Sequence, residues 1–174
     1  MTKLRTANLL GALAGEVAAR LGEQHKTHPN QTDSSAAALN VIGFYEGCSN
    51  GALSRVLRLS HTATVRLVDN LEAAGLVTSE TGTDRRSVAL RLTASGRERA
   101  RAIVRERCVM LGDLVDVLSP AQRAALDDVA ETLLRALVTS TDAADHICRL
   151  CDEAACPPEH CPVHQQALAM EGER

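Results

Sequence analysis

Four cysteines near the C-terminal end of the chain are spaced in a way that is typical of metal ligands. They are Cys148, Cys151, Cys156 and Cys161, which form a C-x2-C-x4-C-x4-C pattern, and a proline directly follows two of them. Because the prolines bend the chain, the four thiolates can converge on one tetrahedral ion, and zinc is the first expectation. An iron–sulfur cluster is the alternative, since four cysteines also suit a cluster. A third alternative is that the four cysteines are free thiols or form disulfides.

The segment that carries these cysteines is predicted to need the metal in order to fold. It has few apolar residues, so an ion would order it by coupling ligand binding to folding. If the site is a sensor, thiolate oxidation or metal loss would unfold this segment and disturb the helices beside it. The histidines that could replace or orient a cysteine ligand are His146, His160 and His164. Of the other cysteines, Cys48 is predicted to be a small, partly buried loop residue and Cys108 a core residue of a helix.

A different chemistry is predicted upstream, where residues 52 to 92 have the pattern of a helix, a turn, a second helix and a hairpin. Each helix has one apolar face, formed by Leu53, Val56, Leu57 and Leu59 in the first and by Val65, Val68 and Leu71 in the second. Two β-prone runs, residues 76–78 and 88–92, flank a polar tip. This succession is typical of a winged helix-turn-helix.

The second of these helices carries polar groups suited to DNA. Ser60 is placed to cap its start, and the side chains predicted to face outward are those of His61, Thr62, Thr64 and Arg66. A helix start with outward donors and a positive dipole end fits the major groove. At the hairpin tip, Arg85 and Arg86 are predicted to contact a minor groove or backbone phosphates. Together these residues form the predicted DNA-binding set.

The strings LSRVLRLSHTATVRLVDNLEAAGLV and DRRSVALRLTASGRE, with Asp84-Arg85-Arg86 at the wing and Leu92-Thr93-x-x-Gly96 after it, carry a family resemblance. Residues 52 to 97 resemble the DNA-binding lobe of the multiple-antibiotic-resistance regulator (MarR) family. The resemblance implies a dimeric, triangular, mainly helical fold with a small β-hairpin wing. It also implies a transcription factor, usually a repressor, that binds palindromic operators in double-stranded DNA. His61 departs from the family, which often has a basic residue there.

Long helices on both sides of this lobe are predicted to form a homodimer interface. Residues 3 to 24, residues 94 to 118 and a helix that starts at Ser119-Pro120 carry more apolar stripe than one small winged domain can cover. We therefore expect four regions. They are an N-terminal helix and connection (1–34), the DNA-binding lobe (35–93), dimerisation helices (94–140) and the cysteine-rich metal-binding tail (141–174).

The net charge of −3 is distributed unevenly along the chain. Residues 51 to 107 hold 11 basic residues, all arginine, against 6 acidic ones, whereas residues 108 to 174 hold 4 against 12. DNA binding depends on the local electrostatic field of a protein and not on its net charge. We therefore expect the acidic residues 108 to 174 to lie away from the DNA phosphates. The family resemblance also implies an aromatic small-molecule effector, for which only Phe44 and Tyr45 offer a ring.

The sequence predicts a cytoplasmic regulator without enzymatic activity. No apolar run is long enough to cross a membrane and no convincing signal peptide is present, and cytoplasmic cysteines rarely form structural disulfides. No Ser-His-Asp or paired-carboxylate arrangement is legible. Two other functions stay open, namely a thiol or iron–sulfur redox protein that uses Cys148 and Cys151, and a winged-helix module that binds proteins instead of DNA.

Overall fold

The computed structural model describes residues 2–26, 32–81 and 88–172. These residues form eight helices and one antiparallel pair of strands. In chain order they are α1 (Lys3–Lys26), α2 (Asp33–Phe44), α3 (Asn50–Leu57), α4 (His61–Ala73), β1 (Val77–Thr81), β2 (Val88–Leu92), α5 (Ala94–Val115), α6 (Pro120–Leu137), α7 (Thr141–Cys148) and α8 (Pro162–Gly172). The predicted fold class, mainly helical with a small β-hairpin, is confirmed.

Helix α2 is the centre of the main core and packs against α3, α4, α5 and β2. Residues 36–39 and 41–42 are all buried, and the run of three alanines lets the neighbouring helices approach closely. The helix begins at Asp33, because Thr32 and Ser35 cap each other reciprocally. It ends at Phe44, before Gly47 turns the chain with a φ of +86°.

Helices α3 and α4 share the small core that the sequence predicts. Leu53, Val56 and Leu57 of α3 are buried, together with Val68 and Leu71 of α4. The turn between the helices bends at Arg58, whose φ is +55°, and the Leu59 backbone N–H donates to the Ser54 carbonyl oxygen at 3.0 Å. This sharp turn holds α4 against α3 and completes the helix-turn-helix.

The wing is joined to α5 by a very close backbone approach. Strands β1 and β2 pair from Val77 opposite Leu92 to Thr81 opposite Val88. Thr93 then caps α5 through its hydroxyl, which accepts from the Gly96 backbone N–H at 3.0 Å and donates to the Gly75 carbonyl oxygen at 2.7 Å. A Cβ atom on Gly96 would lie 1.9 Å from the Leu76 carbonyl oxygen. The Leu92-Thr93-x-x-Gly96 pattern therefore has a packing reason.

A second, smaller core lies between α6, α7 and α8. Its buried members are Val138, Ala144, Cys161, Val163 and Ala167, with Cys148 and Cys156 packed against them. Helix α7 also contacts α3, and α8 contacts α6. The C-terminal segment is therefore packed on both the helix-turn-helix and the long helix α6.

The long helices expose apolar faces in the single chain. Leu4, Leu9, Leu10 and Leu13 of α1 are exposed, as are Leu126, Val129, Leu133 and Leu137 of α6. The prediction that Cys108 is a core residue of α5 is wrong, because Cys108 is exposed while Ala100 and Ile103 on the same helix are buried. Among the described residues, no helix has both the length and the apolar character needed to cross a membrane.

Candidate nucleic-acid interface and thiol cluster

The start of α4 presents polar side chains to solvent. Ser60 has extended backbone angles, and its hydroxyl accepts from the Ala63 backbone N–H at 3.2 Å, so it caps the helix as predicted. His61, Thr62 and Arg66 are exposed on this helix. The first turn of α4 thus offers side-chain donors beside backbone N–H groups at the positive end of the helix dipole.

Thr64 does not belong to this exposed surface, and the prediction that it faces outward is wrong. Its side chain is fully buried, and its hydroxyl donates to the Ser60 carbonyl oxygen at 3.1 Å. The buried stripe of α4 therefore runs through Thr64, Val68 and Leu71, while Val65 is only half-buried. The stripe is shifted by one residue because a threonine hydroxyl can satisfy itself on the preceding turn.

The two wing arginines of the prediction, Arg85 and Arg86, lie outside the described residues. At the described base of the wing, Arg91 forms ion pairs with Glu46 at 3.6 Å and Glu80 at 3.1 Å. Arg97 also pairs with Glu46, at 3.8 Å, and donates to the Leu92 carbonyl oxygen at 2.8 Å. Part of the arginine excess in the middle of the chain therefore braces the wing.

The four cysteines of the C-terminal pattern converge on one small cavity. Cys148, Cys151, Cys156 and Cys161 all line a cavity of about 80 Å³ beneath α2 and α7. The Sγ atoms of Cys148 and Cys161 are 4.0 Å apart. Among the described residues, no three Cys, His, Asp or Glu side chains already stand as a metal site.

The thiols in this cluster perturb one another. The hydrogen bond with Cys151, and then burial, raise the pKa of the Cys148 thiol. The same hydrogen bond lowers the pKa of Cys151 to about 7, with help from the nearby Arg107 and Arg149. Burial and the neighbouring Cys161 raise the pKa of Cys156 to about 11. The cluster thus favours one thiolate, at Cys151.

The three candidate histidines have different surroundings. His164 lines the cavity with the cysteines. His146 donates from Nδ1 to the Val56 carbonyl oxygen of α3 at 2.7 Å, and His160 is exposed. Within the described part of the chain, His164 is therefore the histidine best placed beside the thiols.

Contacts that sequence reasoning missed fasten the cysteine segment to the helix-turn-helix lobe. The buried Asn40 of α2 donates from Nδ2 to the carbonyl oxygens of Arg149 at 3.0 Å and Cys151 at 3.4 Å. The Tyr45 hydroxyl donates to Asp145 at 3.1 Å. We call these bonds and the His146 bond the latch. An asparagine inside an apolar run of α2 was the one signal in the sequence that could have indicated it.

Comparisons with known proteins agree with this geometry. A sequence model of the MarR family matches residues 32–87. No curated protein matches the chain. Similar solved structures include FabT of Streptococcus pneumoniae in complex with DNA, at 21% identity and a TM-score of 0.69, covering 78% of this chain and 97% of that one.

Two further structures give the same result. MepR, a transcription regulator of the Staphylococcus aureus multidrug efflux pump MepA, has 18% identity and a TM-score of 0.67, and the match covers 79% of this chain and 99% of that one. A MarR family protein from Bacillus stearothermophilus has 24% identity and a TM-score of 0.64, over 76% of this chain and 96% of that one. Residues 32–87 match the MarR family, and the chain has a MarR-like winged-helix fold.

Proposed function

We propose that this chain is a transcriptional regulator that binds double-stranded DNA sequence-specifically, as a homodimer, and represses by occupying a palindromic operator. The observation that carries the proposal is the exposed start of α4, where His61, Thr62 and Arg66 stand beside a capped helix N-terminus. Such a helix end suits phosphates and base edges of the major groove. FabT, which this chain resembles in fold, was solved in complex with DNA.

The homodimer is supported by the apolar faces of α1 and α6. Leu9 and Leu13 on α1 and Val129 and Leu133 on α6 are between 42% and 56% exposed. Monomeric proteins rarely leave such extended apolar stripes in water. A two-fold pairing through these helices would cover the stripes and present two copies of α4 to the two halves of a palindrome.

A groove beside α5 suits a small-molecule effector of this regulator. It has a volume of about 720 Å³ and is lined by Phe44 and Val104 together with Arg97, Arg101 and Arg105. One ring, aliphatic carbons and guanidinium groups fit an aromatic carboxylate. We expect aromatic acids to raise the melting temperature of the wild-type protein and to do so less for Arg101→Ala.

The test of DNA binding is fluorescence anisotropy with DNA from the region upstream of the protein's own gene, against unrelated DNA of equal length. Arg66→Ala should weaken binding to specific DNA by about 1–3 kcal/mol. It should also reduce the slope of log affinity against log salt concentration by about 1 for each phosphate that the protein no longer neutralises. Arg123→Ala is the matched control, since this exposed arginine lies on α6 and pairs with Asp116. Equal affinity for all DNA, or no binding at moderate salt, would contradict the proposal.

The dimer is tested separately. Leu133→Glu places a charge in the middle of the exposed stripe of α6, and burying it would cost several kcal/mol. We expect light scattering to give a dimeric mass for the wild-type protein and a monomeric mass for this variant. Glu131→Gln, on the same helix but paired with Arg135, should stay dimeric. A monomeric mass for the wild-type protein would overturn the proposed homodimer.

A further inference from the structure

The four C-terminal thiols share one site. The Sγ atoms of Cys148 and Cys161 are 4.0 Å apart. All four line the same cavity of about 80 Å³. Two of them end or precede helices, since Cys148 is the last residue of α7 and Cys161 directly precedes α8. The cluster is thus anchored at both ends by regular structure.

We propose that Cys148, Cys151, Cys156 and Cys161 together bind one zinc ion. With Zn–S bonds of about 2.3 Å, tetrahedral geometry places the sulfurs about 3.8 Å apart. The 4.0 Å between the Sγ atoms of Cys148 and Cys161 is close to that edge, whereas a disulfide would bring them to about 2.05 Å. The other two thiols line the same cavity, and we expect their side chains to rotate on metal binding and complete the tetrahedron.

The size of the cavity favours a single ion over an iron–sulfur cluster. A cluster places inorganic sulfide and several irons between the thiolates, so its cysteines stand farther apart. Here the Sγ atoms of Cys148 and Cys161 are 4.0 Å apart, and all four thiols line a cavity of about 80 Å³. One tetrahedral zinc ion needs no more space than this.

One arginine helps to compensate the charge of a tetrathiolate. Four thiolates and one Zn²⁺ carry a net charge of about −2. Arg149 lines the same cavity as the four thiols. It is half-buried in the segment between α7 and α8, and its guanidinium donates to the His146 carbonyl oxygen at 2.6 Å. This cation stabilises thiolates at the site.

Zinc would act as a structural element of the latch. Residues 149–161 contain no helix or strand, and the core beside them has two valines and two alanines among its buried members. So small a core orders a thirteen-residue segment poorly, and metal coordination supplies the missing free energy. Because Asn40 of α2 bonds to the Cys151 carbonyl oxygen, the ordered loop is attached directly to the DNA-binding lobe.

The proposal is tested on full-length protein purified without oxygen. Elemental analysis should give about one zinc per chain, and replacement by Co²⁺ should give the intense visible and near-ultraviolet bands of a tetrathiolate. Cys48→Ser and Cys108→Ser are the matched controls, because these two cysteines lie outside the cluster, and both variants should retain the metal. Cys148→Ser and Cys156→Ser should each lose stoichiometric zinc.

Further measurements keep the test independent of folding defects. Cys156→His should retain zinc with a shifted cobalt spectrum, since imidazole is also a zinc ligand. In the wild-type protein, chelation should accelerate amide exchange in residues 149–161, and added zinc should reverse it. Iron with acid-labile sulfide would overturn zinc in favour of a cluster. Reduced protein that takes up neither zinc nor cobalt would overturn the site. Neither result depends on DNA binding.

Discussion

Replacing Gly96 by alanine tests the contact that joins the wing to α5. The added Cβ would lie 1.9 Å from the Leu76 carbonyl oxygen and 2.9 Å from its carbonyl carbon. These are backbone atoms of the segment before β1, so no side-chain rotation can relieve the overlap. The start of α5 must move away from the β1 side, and the alignment of the wing with the helix-turn-helix changes with it.

The magnitude follows from three contributions. Overpacking of this kind costs about 1–3 kcal/mol. Displacement also strains the Thr93 bonds to Leu76, at 3.0 Å, and to Gly75, at 2.7 Å, each worth about 1 kcal/mol. The higher helix propensity of alanine offsets up to about 1 kcal/mol of this destabilisation. We therefore expect Gly96→Ala to lower the free energy of unfolding by about 2–4 kcal/mol.

The assay is urea unfolding followed by circular dichroism at one fixed protein concentration, because dimer stability depends on concentration. Gly112→Ala is the matched control, since Gly112 lies on the same helix and an added Cβ meets no atom within 4 Å. It should stabilise the protein by about 0.5–1 kcal/mol. If Gly96→Ala is as stable as Gly112→Ala, the close approach to Leu76 is not real and the argument fails.

Four further substitutions test the position of α4, the latch and the turn before α4. Thr64→Val should lower the free energy of unfolding, measured in urea, by about 1 kcal/mol without changing DNA affinity. Thr62→Val should weaken DNA binding and leave the free energy of unfolding unchanged. The reverse result would show that Thr64 is the exposed residue. Asn40→Ala should cost about 1–3 kcal/mol and accelerate amide exchange in residues 149–156; unchanged exchange there would contradict the latch. Arg58→Gly should raise the free energy of unfolding by about 1 kcal/mol, because a residue with a φ of +55° is strained unless it is glycine. The melting temperature should rise accordingly. A lower melting temperature would mean that Arg58 is not strained.

The helix-turn-helix was predictable because its signals are local. The Ser60 and Ser119 caps, the three-residue spacing of apolar positions and the two β-prone runs each depend on neighbours in sequence. The register of α4 was mispredicted at one position, because a threonine that bonds to the preceding turn can be buried as readily as a valine. Periodicity alone does not distinguish Thr64 from Val65.

The latch was not predictable, because it depends on contacts distant in sequence. Asn40 and Cys151 are separated by 111 residues, and His146 and Val56 by 90. The sequence indicated which cysteines could converge, from their spacing, but not which helices they would adjoin. The exposure of Cys108 was missed for a related reason, since an apolar stripe on a long helix does not show whether it faces its own core.

Helix α7, in the acidic C-terminal third, packs on α3 of the helix-turn-helix lobe, and in the proposed complex this would affect the charge available to DNA. Asp142 of α7 pairs with Arg55 of α3 at 3.5 Å, and both side chains are more than half exposed. Such a pair contributes little stability and is readily exchanged. In the proposed DNA complex, a phosphate approaching α3 would therefore compete with Asp142 for Arg55. Because the His146 bond of the latch joins α7 to the Val56 carbonyl oxygen of α3, it keeps this carboxylate beside Arg55.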